Sequence, residues 1–296
     1  MDLLKRLLYA ACASALAFSV QVRGVQNPAA VSPQSVSPVR FAVIGDNGTG
    51  DGREYDVARR MAELRPTFPF EFVLMLGDNM YGGQDAKDFV SKFERPYKDI
   101  LSSGVPFYAS LGNHDLPNRE IVYKGYSMNG RRYYSFTPAP GVRFFVLDSN
   151  YMDKRQLDWL TDELKKAGPD EWKICYFHHP LYSSGEKHGS SLGLRQVLEP
   201  LFVEHGVDVV LSGHDHIYER IKPQKGIQYF VVGSSGKLRK GNIDTKTGIT
   251  ARGFDTDNAF MVVEISGDRM TFRAISRAGS TVDSGVITRR GDHIAA

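Results

Sequence analysis

Five short clusters of metal-capable side chains punctuate this 296-residue sequence. They are Gly45-Asp46-Asn47-Gly48, Gly77-Asp78-Asn79-Met80-Tyr81, Gly112-Asn113-His114-Asp115, His178-His179-Pro180 and Gly213-His214-Asp215-His216. Carboxylates, amides and imidazoles are the donors from which proteins build sites for hard and borderline cations. Each cluster alone is a weak signal. A Gly-Asp pair ends many ordinary turns, and a lone histidine is more often packed or exposed than ligating. Yet six of the eight histidines fall in or near these clusters. His205, before a glycine at a helix end, and His293, in the tail, take the bland reading.

Each cluster follows an apolar run. Strands are expected over 40–44, 72–76, 105–109, 142–147, 172–177 and 207–211, and helices over 55–64, 86–97, 154–166 and 194–204. Strand and helix in alternation predict an α/β fold whose strands are buried on both faces. Runs at 227–232, 260–265, 270–276 and 281–288 read as further strands without long helices between them. An α/β half followed by a more antiparallel half predicts two packed sheets with helices outside. In such sheets functional residues gather beyond the carboxyl ends of the strands, so five ends would meet at one edge. The glycines let the backbone turn sharply as it leaves a strand.

Composition limits the alternatives. With 42% hydrophobic and 24% charged residues the chain has the material for a full core. Mean hydropathy is −0.31, and after residue 20 no apolar run approaches a membrane span, which excludes a polytopic membrane protein. A net charge of +3 is too balanced for a nucleic-acid binder acting through charge. Lys5 and Arg6 precede an apolar stretch over 7–20, the pattern of a secretory signal, so residues 1–24 read as a signal peptide and the location as extracytoplasmic. Ala13-Ser14-Ala15, Ala15-Leu16-Ala17 and the region near Gly24 all suit cleavage. Cys12 after Tyr9-Ala10-Ala11 makes a poor lipoprotein box. A Pro/Ser-rich linker is expected over 25–38 and the folded domain over 39–296. Cys12 and Cys175 are the only cysteines. Loss of Cys12 with the signal rules out an internal disulfide and a cysteine zinc site. Cys175 then reads as a small buried hydrophobe.

The order Gly-Asp, Gly-Asp-Asn, Gly-Asn-His-Asp, His and Gly-His-x-His resembles the signature of the calcineurin-like metallophosphoesterase superfamily, from about residue 39 to the end. Tyr81, three residues after Asp78, and His188, in Glu186-Lys187-His188-Gly189, narrow the resemblance to the small, tartrate-resistant type of purple acid phosphatase. Two departures touch the pocket wall. Asn47 stands where the mammalian type has an aromatic residue, and the spacing from His178 to His188 is one residue longer.

The resemblance implies a four-layer α-β-β-α architecture and a dinuclear metal centre. Asp46, Asp78, Tyr81 and His216 would hold ferric iron. Asp78, as a bridge, with Asn113, His178 and His214 would hold a second iron, zinc or manganese. His114 and His188 would act on a small phosphorylated substrate. The implied reaction is in-line hydrolysis of a phosphate monoester by a metal-activated hydroxide. A phosphodiesterase or nucleotidase of the same superfamily is the nearest alternative, and a non-catalytic relative a more distant one.

Several neighbours are expected to support this set. On an extended chain His214 and His216 project to one side and Asp215 to the other. By the same logic His179 faces away from His178 as a structural or outer residue. Asp115 reads as a loop or supporting residue, and Asp51, Arg53 and Asp56 as a solvated helix start. The run 231–237 reads as a turn or pocket edge and not as a nucleotide-cradling loop.

Overall fold

The structure, a computed structural model, describes residues 37–289. The expected signal peptide, the linker up to residue 36 and His293 lie outside the described residues. The first elements are β1 (Val39–Ile44), α1 (Gly52–Leu64) and β2 (Phe72–Met75). A helical stretch follows, made of α2 (Ala86–Phe89), a π-helical turn (Val90–Glu94) and α3 (Lys98–Leu101), then β3 (Phe107–Ala109) and α4 (Pro117–Glu120). The middle comprises β4 (Tyr134–Ala139), β5 (Val142–Val146), α5 (Lys154–Lys166), β6 (Trp172–Tyr176), α6 (Leu192–Glu204), β7 (Val209–Ser212), β8 (Tyr218–Ile221), β9 (Gln228–Val232) and β10 (Thr250–Phe254). The last strands are β11 (Ala259–Ser266), β12 (Arg269–Ser276) and β13 (Thr281–Thr288).

These strands form a six-stranded sheet, ordered β13-β12-β11-β1-β2-β3, and a seven-stranded sheet, ordered β10-β8-β9-β7-β6-β5-β4. Within the first, β1, β2 and β3 are parallel, whereas β11, β12 and β13 join antiparallel through β1. Within the second, β5, β6, β7 and β9 are parallel. The two mixed sheets with flanking helices match the expected fold class. The antiparallel strands at the end of the chain are not a separate layer, however. They extend the sheet begun by β1.

The sequence periodicity explains the packing. Along β6, Ile174 and Tyr176 join the core between the sheets, while Cys175 and Phe177 join the core under α5 and α6. Aromatic rings fill the space between the sheets. Phe144 meets Phe41 and Phe72 edge-on at 5.3 and 5.6 Å between centroids, and Phe230 meets Phe272 at 5.0 Å. On the other face of the seven-stranded sheet, Leu160, Leu164, Leu198 and Phe202 pack with Phe145 and Val210. Cys175 is buried and free, as expected.

The sequence misplaced some elements. The helix expected over 86–97 is interrupted by the π-helical turn and by Pro96, which has no N–H to continue the ladder. Strands β4, β8 and β10 were not expected. β4 and β10 are the edges of their sheet, β4 contains Pro138, and β10 has no fully buried residue, so neither shows a clean apolar pattern. β8 is a four-residue strand with two charged side chains.

Candidate metal centre

The parallel strands of both sheets deliver the donors. Asp46 follows β1, Asp78 and Tyr81 follow β2, and Asn113 and His114 follow β3. His178 follows β6, and His214 and His216 follow β7. Oxygen donors therefore come from the six-stranded sheet, and imidazole ligand candidates from the seven-stranded one.

The turns are tighter than glycine alone explains. Asp46, Asp78 and His214 themselves occupy the left-handed region, with φ of 52°, 51° and 70°. Such a conformation in a non-glycine residue costs about 1–3 kcal/mol and is typical of functional sites. The neighbouring glycines serve close approach. A Cβ on Gly112 would lie 2.2 Å from the Asp78 nitrogen, and one on Gly45 would lie 2.5 Å from the Val232 carbonyl oxygen.

In one donor set, the Tyr81 hydroxyl donates to Asp46 Oδ1 at 3.0 Å and lies 3.3 Å from His216 Nε2. One ligand atom each of Asp46, Asp78 and His216 lies within 4.8 Å of the others. Asp46 is fully buried, and its Oδ2 accepts from the His214 main-chain N–H at 2.8 Å. Burial, then the charge of Asp78, pushes the Asp46 carboxyl well above the usual carboxylate range. Burial, followed by Asp46 and Asp78, pushes the Tyr81 phenol up. Burial, aided by Arg239, pushes His216 down to about 4. Two buried carboxylates and a phenol crowded together form a donor set that a highly charged cation would relieve.

In the other set, His178 Nδ1 lies 2.9 Å from the Leu76 carbonyl oxygen. Its Nε2 faces Asn113 Oδ1 at 3.1 Å, His214 Nδ1 at 3.1 Å and Asp78 Oδ1 at 3.4 Å. Burial, then His179, pushes His178 well down, and burial, then His178, pushes His214 to about 2. Both rings are therefore neutral. With the His178 proton on Nδ1, its bare Nε2 confronts acceptor oxygens. A shared cation reconciles those contacts, so the residues fit a second metal ion.

His114 and His188 stand at the opening. The His114 main-chain N–H donates to Asp78 Oδ1 at 2.9 Å, while its side chain is 53% exposed and its ring lies 4.8 Å from that of Tyr81. His188 is exposed, with its ring 4.2 Å from His214. Asp215 secures the His188 loop. Its Oδ2 accepts from Ser183 Oγ at 2.6 Å and from the Gly189 N–H at 3.0 Å. Asp215 thus supports the turn, as expected, through long-range bonds that its position in the sequence does not reveal.

One expectation fails. His179 does not turn away from His178. The chain bends after β6, and ring nitrogens of His178, His179 and His214 lie within 4.8 Å of one another. The Asp115 expectation holds. Its Oδ2 accepts from Gly112 N at 2.7 Å and from Asn79 Nδ2 at 3.0 Å, and Asn79 also donates to Glu120 at 2.9 Å. The run 231–237 lines the site, and Lys237 Nζ lies 4.5 Å from the Tyr81 ring centroid. Asp51 caps α1 by accepting from the Arg53 and Glu54 N–H groups.

Sequence reasoning missed Glu120 and Ser149, and it gave no individual role to Asn79, in the second cluster, or to Lys237, in the run 231–237. A signal for Ser149 existed, since Asp148-Ser149-Asn150 follows the run 142–147 and is a sixth polar strand end. A cleft of about 540 Å³ lies elsewhere, lined by Lys173, Glu204 and His205.

Comparison with known proteins agrees with this geometry. The calcineurin-like phosphoesterase family matches residues 39–218. Tartrate-resistant acid phosphatase type 5 of Mus musculus is 27% identical over 303 residues, covering 85% of this chain and 91% of its own. The purple acid phosphatase from yellow lupin (Lupinus luteus) seeds superposes with a TM-score of 0.69 at 20% identity, covering 87% of this chain and 55% of that one. GAP50, described as the anchor in the inner membrane complex of Plasmodium, gives 0.75 at 21% identity, covering 86% and 90%. At these identities the two structures show the fold. From the family match and the donor geometry together, this chain belongs to the calcineurin-like phosphoesterase family and is a phosphoric ester hydrolase similar to the purple acid phosphatases.

Proposed function

We propose that the chain is an exported phosphomonoesterase with a dinuclear metal centre. The observation that carries this reading is the pair of adjoining donor sets meeting at Asp78. Asp46, Asp78, Tyr81 and His216 would hold one ion, and their anionic oxygens suit ferric iron. Asp78, Asn113, His178 and His214 would hold the other, a less charged set suited to divalent iron, zinc or manganese. The two ions would supply activation of water and neutralisation of the phosphoryl oxygens.

The remaining tasks fall to side chains. Asp46 is fixed by the His214 N–H, and His178 by the Leu76 carbonyl, so both donors are oriented before any cation arrives. His114 and His188, exposed at the opening, are the groups available to hold phosphoryl oxygens or protonate the leaving alcohol. Tyr81 in the first set favours the monoesterase over a diesterase or nucleotidase, because in the resembled group this tyrosine binds ferric iron. The signal-like residues 1–24 support export. Among the described residues no helix is long and apolar enough to cross a membrane.

Fold alone does not carry the reaction, because one fold hosts many functions. The test is a visible spectrum with parallel assays on a phosphate monoester, a diester and a nucleotide. A violet protein that prefers the monoester supports the reading. A colourless protein that prefers the diester or nucleotide replaces it with the diesterase or nucleotidase. Bound metal without hydrolysis of any ester replaces it with a binding protein.

A further inference from the structure

We infer that His179 is an additional ligand of the second cation and that Ser149 positions it. This rests on the dinuclear reading above, whose second set contains Asp78, Asn113, His178 and His214 alone.

Three observations carry the inference. First, ring nitrogens of His178, His179 and His214 cluster within 4.8 Å. The His179 ring lies 4.4 Å from that of His214 and 5.0 Å from that of His178. Second, His179 is held as His178 is. His178 Nδ1 meets the Leu76 carbonyl oxygen at 2.9 Å, and His179 Nδ1 meets Ser149 Oγ at 2.9 Å. Metal-binding histidines are regularly fixed this way, with one nitrogen on an oxygen and the other free for the ion. Third, Ser149 is buried, and its Oγ also accepts from the His179 main-chain N–H at 3.1 Å. A hydroxyl oxygen has a second lone pair for Nδ1–H, which leaves the His179 Nε2 lone pair for the cation.

The consequence is chemical. A third imidazole makes the second set richer in nitrogen and shifts its preference toward zinc over manganese. Five protein donors still leave one position on a six-coordinate ion.

The experiment titrates the chelator-stripped full chain with Zn²⁺ and with Mn²⁺ by calorimetry, and records the optical spectrum after Co²⁺ loading. Wild type is expected to take up two cations. Ser149→Ala should weaken the second by about 10–100-fold, the range for removing a group that orients a ligand, and His179→Ala, which removes the ligand itself, by more. Both should keep the first cation and show an altered cobalt spectrum, and His179→Ala should narrow the zinc preference. If His179→Ala does not fold, Ser149→Ala, which loses only a hydroxyl, still reads out the weakened second cation and the altered cobalt spectrum. Two cations in wild type with unchanged titrations in the folded variants overturn this inference alone. Reduced hydrolysis with unchanged metal affinity also overturns it, and would make His179 a substrate-facing group. Fewer than two cations in wild type overturns the dinuclear reading and this inference with it.

Discussion

The two sheets contribute different chemistry to one site. The six-stranded sheet brings Asp46, Asp78, Tyr81 and Asn113, all oxygen donors, on loops after β1, β2 and β3. The seven-stranded sheet brings His178, His179, His214 and His216 on loops after β6 and β7. Neither sheet holds a complete set. The carboxylate side is braced by buried polar groups such as Asn79, Asp115 and Glu120. The imidazole side is braced by single oxygens, the Leu76 carbonyl on His178 and the Ser149 hydroxyl on His179. The site's integrity thus depends on how the sheets pack, and the aromatic layer around Phe41, Phe72 and Phe144 sets that spacing.

Removing Asp78, the residue proposed to bridge the two sets, should have the largest effect. Asp78→Ala is expected to bring hydrolysis to background and bound metal well under two ions per chain. Elemental analysis beside an activity assay checks this, and two ions at full occupancy would break the bridging assignment. Next comes His114→Ala, which should keep both ions and lose about 10²–10⁴ in rate. If the imidazole protonates the leaving group, the loss shrinks for nitrophenyl phosphate. Equal losses for good and poor leaving groups would assign it to charge stabilisation.

Phe144→Ala probes the packing between the sheets. A buried aromatic replaced by alanine costs about 3–5 kcal/mol, readable as a lower denaturant midpoint. Because the donors arrive from both sheets, affinity for both ions should fall together. Weakening of one ion only would mean that each sheet forms its set independently.

Tyr81→Phe deletes one hydroxyl and should abolish the visible band with little change in stability. An unaltered band would make Tyr81 a packing residue.

The smallest effect concerns the bracing of the oxygen side. Glu54 in α1 is buried, and its Oε2 accepts from the Gly50 N–H at 2.6 Å. Burial raises its carboxyl well above the ordinary value of 4.5. The folded protein therefore keeps this proton to higher pH than the unfolded chain does. Stability from this group is full below the unfolded value and falls as pH rises toward the folded one. Glu54→Gln should flatten that slope in chemical denaturation at a series of pH values. A parallel pH dependence in both proteins would show that Glu54 is not its source.

Much of the site was legible because apolar runs and polar strand ends are local signals. Gly77-Asp78 and Gly213-His214 could be placed beyond strands from periodicity alone. Side-chain direction was not legible. The reading of His179 assumed an extended chain, and the bend after β6 depends on packing between distant segments. The meeting of Asn79 and Glu120 also escaped, because it is set by how the loop after β2 lies against α4. Edge strands β4 and β10 lacked an apolar rhythm because one face of each is not fully covered.

Elemental analysis of the purified chain, with its visible spectrum, tests the central claim most directly. Two ions per chain, one of them iron giving a band that Tyr81→Phe removes, is the expected result. Full phosphomonoesterase activity with fewer than two bound ions would contradict a single centre assembled from both sheets.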